Sequence, residues 1–199
     1  MPADIQAVRN GADAIGADER AVGATLYDLS FVAEYGHGST REAIDAIRSS
    51  RRHADRAVLA AAVGNAVVAA KHEAQAAAAD ADADHMLDRA KGHLDDLTAG
   101  LRAATDSADS AMGHARSLVG LDDSSPAAGL HARVAALPTE LEECTRRAME
   151  IDARVPRSRD PVELEVAADH FLALRHELEE ASDRAQEIAS DSLAYGNAV

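Results

Sequence analysis

Apolar side chains return along this chain at alternating steps of four and three residues. In the first stretch they are Ile5, Val8, Ala12, Ile15, Val22, Leu26, Leu29 and Ala33, with Glu19 standing in the same register. A seven-residue repeat of this kind keeps one seam of an α-helix facing a neighbouring helix. The rule recurs from Leu87 through Ala90, Leu94, Leu97, Leu101, Ala104, Ala108, Ala111 and Ala115 to Leu118. It recurs again from Leu130 to Val155, and from Leu164 through Phe171, Leu174 and Leu178 to Tyr195. No stretch alternates with period two in β-branched or aromatic residues, so strands are not expected. The pattern predicts an all-α protein: an elongated antiparallel helical bundle or coiled coil, its heptad seams rich in alanine and leucine.

One stretch is less regular. Ile44, Ile47, Ala54, Val58, Ala61, Asn65 and Val68 follow the same steps, with Arg51 intruding. Residues 74–83 hold neither proline nor glycine, and alanine has the highest helix propensity. The reading favours one helix from about Ser39 to Ser117 over a turn at Asp80–Asp84. Tyr35-Gly36-His37-Gly38 reads as a turn, and Ser39-Thr40-Arg41-Glu42 after it as a capping box. Gly120 to Pro126 reads as a loop, Pro138 as a helix start or kink, and Pro156 to Asp160 as a connection. Asp160-Pro161-Val162-Glu163 then caps the last helix. Two regions follow: a long hairpin over residues 1–120, with its turn at 35–38 and a bend or turn near 80–86 as the alternative to continuous helix there, and a C-terminal helical pair over 121–199. The helices of that pair are expected at about 127–155 and 161–195, packing on the hairpin.

Composition narrows the chemistry. Of the 199 residues 47% are hydrophobic but only 3% are aromatic, and alanine dominates the seams. Alanine buries little area per residue and lets helix axes approach closely. A bundle so built has little interior volume for a substrate pocket. Lysine and arginine number 20 against 35 carboxylates, for a net charge of −15 and a pI near 4.9. That balance argues against binding duplex DNA, or anionic lipid over a broad face. Cys144 is the single cysteine, so no disulfide framework exists, and its place between Leu141 and Ala148 reads as inert core.

The opening Met1-Pro2-Ala3-Asp4-Ile5 lacks a basic, then apolar, leader, and the nearly apolar run Val58–Ala70 is too short to span a bilayer. The expectation is a cytoplasmic protein, with signal-less secretion left open.

No motif carries catalysis. A di-iron bundle needs two inward Glu-x-x-His pairs. Here Glu34–His37 falls on the glycine turn, and Asp82–His85 has aspartate in place of glutamate. His72-Glu73 is followed by Ala76 where a metalloprotease would need its second histidine. His53, His93, His114 and His176 fall off the seams and read as solvated. No catalytic, cofactor or metal residues are expected, and a bundle binding metal through His37, His72, Asp82 or His85 is the least favoured reading. Glu19, Asn65 and His72 sit at seam positions, either fixing register or marking an open seam. Arg48, Arg51, Arg52 and Arg56 form the one basic cluster, suited to an acidic protein surface or simply a solvated face.

The expected function is therefore non-enzymatic: a structural or protein–protein interaction module, self-associating as a homo-oligomer or pairing with another protein, and contacting neither duplex DNA nor membrane. The stripes best placed for this are Leu87, Leu94, Leu97 and Leu101, and Leu164, Phe171, Leu174 and Leu178, beside the arginine cluster. Protonation of the nine histidines near pH 6 would cancel much of the negative charge and favour association.

A helix, a turn at Tyr35-Gly36-His37-Gly38 and a second helix also resemble the small helical-hairpin substrates and partners of type VII secretion. That family carries Trp-x-Gly at its turn, and no Tyr-x-x-x-Asp/Glu follows Tyr195 here. The resemblance covers the first two helices and implies a secreted substrate or adaptor that pairs with a partner protein.

Overall fold

A computed structural model describes residues 5–155 and 158–199; the first four residues and Pro156 with Arg157 lie outside that description. The described residues form α-helices and no strands: α1 Ile5–Ala62, α2 Ala66–Leu121, α3 Ser125–Val134, α4 Leu137–Asp152 and α5 Pro161–Ala198. The all-α helical bundle is as the heptads require.

The chain divides into two compact units. The first combines the chain up to Phe31 with Asp96–Arg147 and Leu174–Val199. Its core is the seams themselves. Val8, Ile15, Ala111, Ala115, Leu118, Leu130, Val134 and Ile188 form one cluster, with Met112 and Tyr195 at its edge. Small residues set the spacing: the Ser182 hydroxyl, itself buried, donates to the Gly23 carbonyl at 2.8 Å, tying α5 to α1. The α2–α3 loop is held by Asp122, which accepts hydrogen bonds from the Ser124 amide and hydroxyl and from the Tyr195 phenol. Ser124 in turn caps α3 by accepting from the Ala127 amide. Pro138 lies in the first turn of α4, where its missing N–H costs nothing. Cys144 is buried, and burial pushes its thiol up to about 12, so it stays protonated at neutral pH.

The second unit combines Val32–Asp95 with Ala148–Ala173. Ile44, Ile47, Ala83 and Leu164 make its central cluster, with Leu87 against it. The Asp160 side chain accepts from the Val162 amide and starts α5 as expected.

Three sequence expectations fail at the α1–α2 hairpin. There is no turn at 35–38: α1 runs unbroken through Tyr35-Gly36-His37-Gly38. Gly36 serves packing instead, since a Cβ there would lie 2.3 Å from the Phe171 ring. Nor does Ser39–Glu42 cap a helix, because Thr40 donates back to the Gly36 carbonyl at 2.8 Å within the same helix. Residues 80–86 are continuous α2, the reading favoured for them over a turn. The chain turns at Val63-Gly64-Asn65, inside the span read as one helix from Ser39 to Ser117. With no turn near position 36, the topological likeness to type VII secretion hairpins loses its basis.

The turn has a clear mechanism. Gly64 takes φ +77°, a conformation that costs other L-residues. The Gly64 amide donates to Ala61 and the Asn65 amide to Ala60, the paired bonds that close a helix at a left-handed glycine. Asn65 then caps α2, its side-chain oxygen accepting from the Val68 amide at 3.2 Å.

Candidate contact surface at the hairpin end

From Arg51 to Asp80 the second unit is a two-helix hairpin with little to cover it. Only Ala57, Ala60 and Ala69 are buried between positions 51 and 80. Residues 57–70 hold no charged side chain, and Asn65, engaged in its cap, is the only polar one. Exposed there are Val58 (69%), Leu59 (67%), Val63 (80%) and Val67 (82%). Together with half-exposed Val68 they present on the order of 500 Å² of apolar surface, at the upper end of what monomers keep in water. These side chains lie on both arms of the hairpin and at the turn, so the apex is apolar all round. The heptad reading put Ala54, Val58, Ala61 and Val68 on a buried seam; they are exposed, because the hairpin's own contact runs through Ala57, Ala60 and Ala69 instead.

The charges behind the apex are ordered. Arg56 and Lys71 bracket the apolar run on its two arms. Asp55 and Glu73 follow, then Arg52 and Arg51. Among the described residues Arg52, Arg56 and Lys71 make no ion pair. Arg51 donates to the Arg159 carbonyl at 3.1 Å and Arg48 pairs with Glu165 at 2.6 Å, while Arg159 reaches Asp84 and Asp80. The arginine cluster is thus split: Arg48 and Arg51 fasten the segment around Arg159 and Glu165 to the hairpin, and Arg52 and Arg56 stay in solvent. Residues 48–75 carry five cations against two carboxylates, reversing the sign of the whole chain.

His53 and His72, read as solvated and as a seam residue, face each other across this hairpin. Their Nδ1 atoms are 3.3 Å apart and the ring centroids 5.5 Å, so the nitrogens meet head-on. His72 Nδ1 is also 3.0 Å from the Gln75 side-chain oxygen, a contact that a proton on His72 Nδ1 would satisfy. Desolvation, then His72, Arg56 and Arg52, hold the His53 pKa below its ordinary value. Among the described residues no three His, Cys, Asp or Glu side chains group as metal ligands, so His37, Asp82 and His85 do not converge with His72.

The leucine stripes singled out for partner contact lie elsewhere. Leu94, Leu97, Leu101, Leu164, Phe171, Leu174 and Leu178 are all buried within the chain, and Leu87 is half-buried. The buried seven are seam residues already covered within this fold, so they offer no free face. An open groove of about 440 Å³ is lined by Arg20, Ala24, Gln186, Ala189, Ser190 and Leu193, to which Arg20 brings the single charge. Among the described residues no helix is long and apolar enough to cross a membrane. Compared with known proteins, the chain matches no family model, no curated protein and no solved structure.

Proposed function

We propose that this chain is a non-enzymatic helical scaffold that acts as an interaction module, with the α1–α2 apex as its contact surface. The observation that carries this reading is the uncharged run 57–70, held open to solvent by a well-formed turn. Aliphatic side chains left this exposed gain free energy when anything apolar covers them, at about 25 cal/mol per Å² before the costs of association. The cluster of Ile44, Ile47, Ala83 and Leu164 in the same unit supports this reading, since it gives the hairpin a packed base.

The contact that needs no second component is another copy of the chain. The test is solution mass against concentration for the wild type and for a Val63→Asp/Val67→Asp variant, with helicity followed by circular dichroism. Concentration-dependent association that the variant loses, at unchanged helicity, is the expected result. Wild-type protein that stays monomeric and binds no surface through its apex overturns the reading.

A further inference from the structure

We infer that the hairpin end docks on an anionic lipid surface, entering it apex first. This rests on the apex being the contact surface, and names what that surface meets. The apolar run extends about seven residues along each arm, roughly 10 Å at 1.5 Å per residue. That matches the ~5–10 Å to which apolar faces of interfacial helices sink into the headgroup and acyl boundary. Burial on all sides suits a medium that closes around the apex, whereas a flat protein face would leave one side of it wet.

Part of the apex backbone is already paired, and the remaining end groups of the two helices stay at the level of the polar headgroups. The amides of Val63, Gly64 and Asn65 already donate to the carbonyls of Leu59, Ala61 and Ala60, and the Asn65 side chain is held by Val68. The order of charge fits as well. The first charged residue behind the apex on each arm is a cation, Arg56 on α1 and Lys71 on α2, at the depth where lipid phosphates and carboxylates lie. Both side chains are long enough to keep their charged ends in the headgroup layer while their stems cover apolar surface. Arg52 and Arg51 behind them balance Asp55 and Glu73, so the net attraction comes from Arg56 and Lys71 and is screened by salt. The overall acidity that argues against broad contact with anionic lipid is reversed locally, since residues 48–75 carry five cations against two carboxylates.

The experiment is sedimentation of the full chain with vesicles of phosphatidylcholine alone and of phosphatidylcholine mixed with phosphatidylserine, at low and high salt. Binding to the phosphatidylserine vesicles is expected to exceed binding to neutral ones, and to fall with salt. Arg56→Glu/Lys71→Glu should weaken it roughly tenfold or more, at about 1 kcal/mol per cation near such a surface. Val63→Asp/Val67→Asp should abolish it, with circular dichroism unchanged for both variants. Equal binding to the two vesicle types, or binding indifferent to the apex variants, overturns the proposal. No vesicle binding alongside apex-dependent self-association also overturns it, while leaving the contact reading intact; loss of both removes that reading too.

Discussion

Helix α2 has two halves with the same backbone and opposite surroundings. From Leu94 to Leu118 every seam residue is buried, whereas from Ala66 to Asp80 only Ala69 is. Both halves are helical throughout. In the Leu94–Leu118 half, leucines among the alanines supply buried area. The other half is helical through alanine propensity and through its Asn65 cap, with almost no packing to help it. A heptad step therefore reports helix in both halves but burial in only one. Apolar position and apolar contact are separate facts, and the hairpin end is where they part.

The sharpest way to break this contrast is to place the same charge in each environment. Leu97→Asp puts a carboxylate at a fully buried position and should destabilise the fold by more than about 4 kcal/mol, enough to unfold a marginal domain. Val67→Asp, at 82% exposure, should change stability by less than about 0.5 kcal/mol. Denaturant unfolding of the two variants measures both. Equal losses would mean that the hairpin end is covered in the folded chain.

Glu19 refines the contrast from inside the packed seam. It is fully buried on α1, and neither carboxylate oxygen has a hydrogen-bond partner among the described residues. Burial, with the adjacent Asp18 charge second, raises its pKa from 4.5 to about 7. A carboxyl whose folded pKa is raised favours the fold while protonated. Its contribution is intact below pH 4.5 and is lost as the pH climbs through 4.5 towards 7. Well above pH 7 the cost is about 3 kcal/mol, so Glu19→Leu should be more stable by that order there and nearly level with the wild type in acid. The choice left open by the sequence, a register residue or an open seam, narrows: the seam is closed around Glu19. Unfolding midpoints for both proteins across this pH range test it, and a constant difference would rule out ionisation as the cause.

How much of this was legible follows from the same physics. The seams from Val8 to Ala33, Leu94 to Leu118 and Leu164 to Ser192 could be read because apolar residues recur at every third or fourth position, Glu19 and Ser192 apart, and are buried there. The hairpin turn could not be read the same way. Gly36 and Gly38 look like punctuation, but Gly36 is small to admit the Phe171 ring, a contact 135 residues away that no local rule reveals. The true turn had a usable signal in Gly64-Asn65, a left-handed glycine followed by a capping residue. It was masked because Asn65 also fell on a heptad step. The apex was visible as the apolar run Val58–Ala70, yet its exposure was not, since burial depends on partners the run lacks. The meeting of His53 with His72 depends on where the chain turns, and so stayed hidden with it.

That histidine pair offers the mildest test of the comparison, because it acts only on the thinly packed end. His72 Nδ1 lies 3.0 Å from the Gln75 side-chain oxygen and 3.3 Å from His53 Nδ1. Desolvation first, and then the neighbouring His72, Arg56 and Arg52, hold the His53 pKa below 6.5. A histidine with a depressed folded pKa supports the fold above its ordinary value, and that support fades as the pH falls through 6.5 towards the folded pKa. Amide exchange, corrected for intrinsic rates, should therefore quicken in residues 53–75 on acidification while the Leu97–Leu118 amides keep their protection. His53→Gln removes the titrating group and should flatten that response. If the wild-type hairpin end keeps its protection well below pH 6.5, the two imidazoles do not hold it together, and alanine propensity with the Gly64-Asn65 turn must account for its order alone.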